Sequence, residues 1–328
     1  MSGRKLAAML GALALTLTGC GESIAPDADE LSEDDRAEII QLLEESGFFS
    51  DEFGADGAAE DDLAAVGATS PAAQADAIVP AEARPPRHWG RRRGRPVRRE
   101  ITIEVDHETG TATVTKEVVF DGKFLLDITH DSLFNPTDKP LQESLIHTAL
   151  FRRVPSESVD QNGRRWRLVR ISPAEWVMTD PEKRTVNITR VEVWVNEELE
   201  WTVTDPSILV GVDDRIPTIR RGDNVVLRAW VDNTLDSGND PDTYVFLHLF
   251  HAKTTMRAWI RVPMRRIEGD DGVYYERAWV ARFTGRSRVA VDAIDAQTFM
   301  TESEDDYRAN IWGAPYRIVA PTTDVAGG

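Results

Sequence analysis

The chain has 328 residues, 41% of them hydrophobic, with a formal charge of −18 at pH 7 and a single cysteine. That length suits two ordinary domains with cores of their own, and one cysteine excludes a disulfide scaffold. An acidic body repels phosphates, which argues against nucleic acid as the main partner.

The charge is unevenly spread. Residues 21–87 carry 18 acidic and 3 basic side chains, and "HWGRRRGRPVRR" at 88–99 carries six arginines and no acid. Residues 100–328 return to a net −11.

The chain begins "MSGRKLAAMLGALALTLTGC". Arg4 and Lys5 form a basic start, an apolar and small-residue run follows from Leu6 to Leu17, and small residues close it. This is the layout of a secretory signal peptide over 1–19, with an apolar run too short to span a bilayer. Its end, Leu17-Thr18-Gly19-Cys20, resembles the lipobox of bacterial lipoproteins. The resemblance implies cleavage before Cys20, a diacylglycerol on its thiol and an acyl chain on the new amino terminus. Residues 20–30 are then a lipidated spacer and the membrane is the first partner. Gly21 in place of Asp implies the outer membrane if the source is Gram-negative.

In "SEDDRAEIIQLLEESGFF" the apolar positions Ile39, Ile40, Leu42, Leu43, Phe48 and Phe49 predict an amphipathic helix over roughly 32–46, within a segment at 31–49. Ser32 is the expected N-cap, with acids in the first turn and Gly47 as the stop. Residues 50–99 read as a linker, first acidic and rich in Ala, Gly and Pro, then rich in arginine.

From residue 100 the texture changes to alternation between turn signals. "ITIEVD" and "TATVTKEVVF" flank the hairpin loop "HETG", and strand-like runs continue to about 180 with a break at "NPTDKPLQ". A helix followed by long strands, with "ALFRRV" leading to "WRLVRIS", resembles NTF2-like domains. The resemblance implies a curved sheet wrapped on helices around a pocket. His147, Phe151 and Trp166 are the residues that alternation places toward it.

A second boundary falls at "TDPEKRTVN", and seven short strands over 187–320 predict a β-sandwich that resembles Ig-like modules in strand number and rhythm. Residues 321–328 are a flexible tail. The fold class expected is mainly β with an N-terminal helix, an α+β (NTF2-like) domain followed by an Ig-like β-sandwich.

Catalytic signatures are missing: no G-x-S-x-G, H-E-x-x-H, Walker A or G-x-G-x-x-G after a strand. The six histidines are scattered, and His248 and His251 have an odd spacing that sets them on opposite faces of a strand. The acidic stretches "DNTLDSGNDPD" and "TESEDD" lack the EF-hand register and read as turns. No cofactor or metal is expected.

The tryptophans are more informative. In "VEVWV" the valines leave Trp194 beside Glu192 on the opposite face. In "VVLRAWV" Trp230 shares a face with Arg228, and in "MRAWIRV" Trp259 lies between Arg257 and Arg261. Such a face either binds a sugar or an envelope protein or packs on the first domain under arginine stems. The functional expectation is a non-enzymatic, membrane-anchored lipoprotein that binds an envelope protein or glycan. The alternatives are small-ligand binding or catalysis in the first domain's pocket, and a subunit of a structural assembly.

Overall fold

The computed structural model describes residues 31–46, 48–49, 88–128, 135–159, 163–213, 216–235, 241–253, 256–282, 284–301, 303 and 306–321. Cys20, Gly47, the acidic segment 50–87, residues 236–240, 302, 304 and 305 of the two acidic loops, and 322–328 of the tail lie outside them.

Helix α1, Glu33–Glu45, starts where the sequence places it, with Ser32 Oγ accepting from the Asp35 amide at 3.1 Å and three acids in the first turn. The strands that follow are β1 (His88–Asp106), β2 (Thr111–Asp127), β3 (Thr137–Arg153), β4 (Trp166–Ile171), β5 (Ala174–Met178), β6 (Val186–Val195), β7 (Glu198–Val203) and β8 (Val210–Gly211). After them come β9 (Thr218–Arg220), β10 (Asn224–Asn233), β11 (Thr243–Lys253), β12 (Met256–Pro263), β13 (Arg265–Gly269), β14 (Gly272–Val280) and β15 (Gly285–Asp295). A short helix α2 (Gln297–Met300) precedes β16 (Ala309–Val319).

The fold is mainly β, in two sheets. The larger runs β1-β2-β3-β5-β16-β15-β11-β12, with β4, β8 and β9 attached, and the smaller runs β13-β14-β10-β6-β7. The larger sheet draws strands from both sides of residue 180. The boundary expected at 179–187 therefore interrupts no sheet: Ile311 of β16 pairs with Trp176 of β5, and β5 in turn pairs with β3.

One face of the larger sheet meets the smaller sheet. Val191, Val193 and Val195 of β6 with Val225, Leu227 and Ala229 of β10 pack on Val289, Val291 and Ala293 of β15 and Trp312, Ala314 and Tyr316 of β16. The inward parity of β6 changes between Ile188 and Val191, and a bulge at Thr189 of β6, opposite Trp230/Val231 of β10, accommodates the change.

The opposite face of the larger sheet curls into an interior of its own. Toward one end, Ile39 and Leu43 of α1, Phe48 and Phe49 pack on Ala112, Val114, Phe151 and Trp166. At the other, Trp89, Phe124, Phe246, Phe299 and Tyr307 form an aromatic cluster. The sheet's edge strands approach there: Arg261 of β12 donates to the Trp89 carbonyl of β1 at 2.8 Å, and its guanidinium lies 3.5 Å from the Trp89 ring centroid. The edges do not close into a ladder among the described residues.

Two expectations change here. Residues 88–99, read as the end of a linker, are strand: β1 pairs along β2 from His88 to Asp106, with register shifts on either side of Pro96. Arg91 and Arg93 turn inward. Arg91 holds Asp292 through two bonds of 2.5 and 2.8 Å and donates to Tyr307 Oη at 2.6 Å. Arg93 holds Glu143, which accepts from Tyr307, while His248 Nε2 lies 2.9 Å from Asp292. The bulged strand presses on β2 at Gly122, where a Cβ would meet the Arg92 carbonyl oxygen at 2.5 Å. A side chain there has no room.

The break expected at "NPTDKPLQ" also shifts, because β3 begins at Thr137 and runs through Pro140. Pro140 pairs only toward β2, so its missing N–H interrupts no ladder on the other side. The "HETG" hairpin joins β1 to β2 with Gly110 at φ +63°.

Candidate functional site

The register of the smaller sheet determines its outer face. Residues paired across strands lie on the same face and neighbours alternate, so the inward valines leave every second side chain outside. Three rows result. The first is apolar and crosses four strands: Leu199 pairs with Trp194, Trp194 with Val226, and Val226 with Ala278. Leu199 is 49% exposed and Val280, beside Ala278 on β14, is 44% exposed.

The second row alternates in charge. Glu192 is opposite Arg228, Arg228 opposite Glu276, and Glu276 opposite Arg265. Arg228 Nε donates to Glu276 at 2.9 Å and Arg265 to the same carboxylate at 3.4 Å. Glu192 accepts from the Trp194 indole at 3.0 Å.

The third row is aromatic. Arg190 lies opposite Trp230, with its guanidinium 3.5 Å from the ring centroid, and Trp230 meets Tyr274 at 5.2 Å. Tyr274 in turn lies opposite Ile267. Arg228 lies between the outer rows, 4.8 Å from Trp194 and 5.3 Å from Tyr274. Guanidinium groups thus cover faces of both indoles. The Trp230 indole N–H is buried with no hydrogen-bond partner among the described residues.

Of the residues expected to share an aromatic face, the structure brings together Trp194, Trp230 and Arg228. Arg257, Trp259 and Arg261 belong to β12 in the other sheet. Arg261 turns onto Trp89, and the side chains of Arg257 and Trp259 fall outside the described residues. Alternation within one strand gives the parity of a side chain but not the sheet it belongs to. Among the described residues the face is the outer side of the smaller sheet. Glu276, Tyr274 and Ala278 complete it and were missed, although alternation in "VYYERAWV" sets them on one side.

His147, Phe151 and Trp166 do reach one interior, but they fill it. All three are buried, and the Trp166 indole donates to Asp35 of α1 at 2.9 Å. Burial, then the nearby Arg288 and Lys116, push the His147 pKa well below the ordinary range, so the ring is neutral. The cavity beside it, lined by Phe48, His147, Ser172 and Arg288, holds about 10 Å³. That is room for about one water. Among the described residues no group of three or more His, Cys, Asp or Glu side chains is placed to hold a metal, and no helix is long and apolar enough to cross a membrane.

Comparison with known protein families, with curated proteins and with solved structures gave no match.

Proposed function

We propose that the protein is a lipid-anchored, extracytoplasmic binding protein without catalytic chemistry, tethered through Cys20 and presenting the outer face of the smaller sheet to a protein partner. The observation that carries this reading is the apolar row Leu199-Trp194-Val226-Ala278 on a surface that faces solvent. A sheet with one solvated face ordinarily keeps that face polar, and an apolar row across four of its strands, exposed at Leu199 and Ala278 and half-buried at Trp194 and Val226, supports a contact surface. Protein is favoured over glycan because a sugar ring stacks on an open indole face, and Arg228 and Arg190 already occupy faces of Trp194 and Trp230.

The lipobox and the apolar run before it support the anchor, and Gly21 supports the outer membrane of a Gram-negative envelope. An Ig-like origin of the sandwich is supported by two largely antiparallel sheets around one core. An NTF2-like origin of the other interior is supported by α1 lying on a curled sheet. The small space beside His147, about 10 Å³ among the described residues, favours surface binding over a ligand pocket.

Two variants of the full chain test the reading. Cys20→Ala should move the protein from the detergent phase to the aqueous phase; retention in the detergent phase would overturn the anchor. Ala278→Asp adds a charge at an exposed position and should shift stability by less than about 0.5 kcal/mol. It should remain membrane-bound yet lose its cross-linked complex in the envelope, whereas an unchanged complex would overturn the docking face.

A further inference from the structure

The charged row reads Glu192, Arg228, Glu276, Arg265 across four adjacent strands. Reversed, the same row reads Arg, Glu, Arg, Glu. We infer that the partner of this face is a second copy of the same chain, docked face to face about a two-fold axis parallel to the strands and midway between β10 and β14. The inference rests on the docking-face reading above and specifies its occupant.

Under that axis each row meets itself reversed. Glu192 faces Arg265 of the second copy and Arg228 faces Glu276, with the two reciprocal pairs beside them. In the apolar row Val226 faces Ala278, and in the aromatic row Trp230 faces Tyr274. Each charge of the central row meets an opposite charge, the self-complementarity that an isologous interface requires. In the flanking rows Arg190 lies over Ile267 of the second copy and Leu199 lies beyond its last strand. An axis perpendicular to the strands along the charged row would set each charge against its own copy, so the charge pattern selects the parallel axis.

The area also fits. The four strands that face one another, β6, β10, β14 and β13, have 10, 10, 9 and 5 residues. At about 3.3 Å per residue and about 4.8 Å per strand they offer roughly 540 Å² per copy. Two copies would bury roughly 1,100 Å², above the floor of about 1,000 Å² for a specific contact. The flanking rows exclude water from the charges between them, and the alternating charges set register and choice of partner.

The test is a four-fold charge swap in the full chain, Glu192→Arg, Arg228→Glu, Glu276→Arg and Arg265→Glu. It preserves the alternation within the sheet, so the fold keeps its ion ladder, and it preserves self-complementarity. Against the natural chain, however, every facing pair becomes like-charged. In detergent, light scattering should give dimers for each protein alone. When differently tagged forms are mixed, free exchange gives mixed dimers in about half of the population, and charge repulsion should hold them to fewer than about one in ten. The single variant Arg228→Glu should weaken the dimer, since it sets like charges against the facing Glu276 at two places.

Mixed dimers at the level of free exchange, or a natural chain that stays monomeric up to about 100 µM, would overturn the second copy as occupant. If the natural chain is monomeric while Ala278→Asp still loses its envelope complex, the docking face stands with a different protein on it. If neither effect is seen, both readings fail.

Discussion

Asp292→Ala should destabilise the protein by about 3–5 kcal/mol, because it removes the bidentate carboxylate partner of the buried Arg91 guanidinium and leaves it the longer contact to Glu143, at 3.6 Å, for charge compensation. Both side chains of the pair are 0% exposed, and the contact is bidentate. Thermal unfolding should show a fall of roughly 10 °C at this chain length. Replacing both partners with apolar residues, Arg91→Met with Asp292→Leu, should recover much of the loss, because no buried charge is then stranded. A double variant as unstable as the single one would show that packing, not charge, dominates at this site.

The pair also sets a pH dependence. Burial opposes the Asp292 charge, but the Arg91 charge and the hydrogen bonds from His248 and Arg91 outweigh it and hold the carboxyl at about 2. An unfolded aspartate titrates near 3.9. The folded value is the lower one, so the stabilisation is complete above about pH 4 and is lost as pH falls through about 2. The difference is about 2–3 kcal/mol. Stability measured from pH 5 to pH 2 should therefore fall more steeply in the natural protein than in Asp292→Asn.

Trp89→Ala should cost a similar amount, about 3–5 kcal/mol, for a different reason. Its ring is 1% exposed and touches Phe124, Phe246 and Phe299 at centroid distances of 5.3, 4.8 and 5.3 Å. Truncation opens a cavity between β1 and β11, which the facing strands cannot close without breaking their ladders. Val97→Ala, eight residues on and 58% exposed, should change stability by less than about 0.5 kcal/mol. If residues 88–99 acted as a linker, both substitutions would leave the thermal midpoint unchanged.

Segments with local rules were legible in the sequence. Ser32, the first-turn acids and the spacing of Ile39 and Leu43 place α1 because a cap and one apolar face are written in adjacent turns. Alternation oriented Val191, Val193 and Val195 correctly because β6 has one wet face and one dry. The start of β1 was not legible. Six arginines in a short stretch look like a solvated segment, and the carboxylate that pairs with Arg91 is 201 residues away. Nor does residue 180 look like the middle of a sheet, since the halves are joined by β5 against β16 and β4 against β8, strands distant in sequence.

The candidate site was half legible for the same reason. Trp194, Arg228 and Trp230 fall on the face that alternation gives them, while Arg261 leaves for a different sheet. Only the register between β6, β10, β14 and β13 reveals that the charges form an alternating row flanked by apolar ones.

The central claim is that this outer face is occupied when the protein is at work. Oxidative footprinting of the tryptophans tests it directly, comparing protein in the intact envelope with the same protein diluted in detergent. Trp194 and Trp230 should lose reactivity in the envelope, while Trp201 and Trp279, which pack toward the sandwich core, should react equally in both states. Equal reactivity of Trp194 and Trp230 in the two states would contradict the claim.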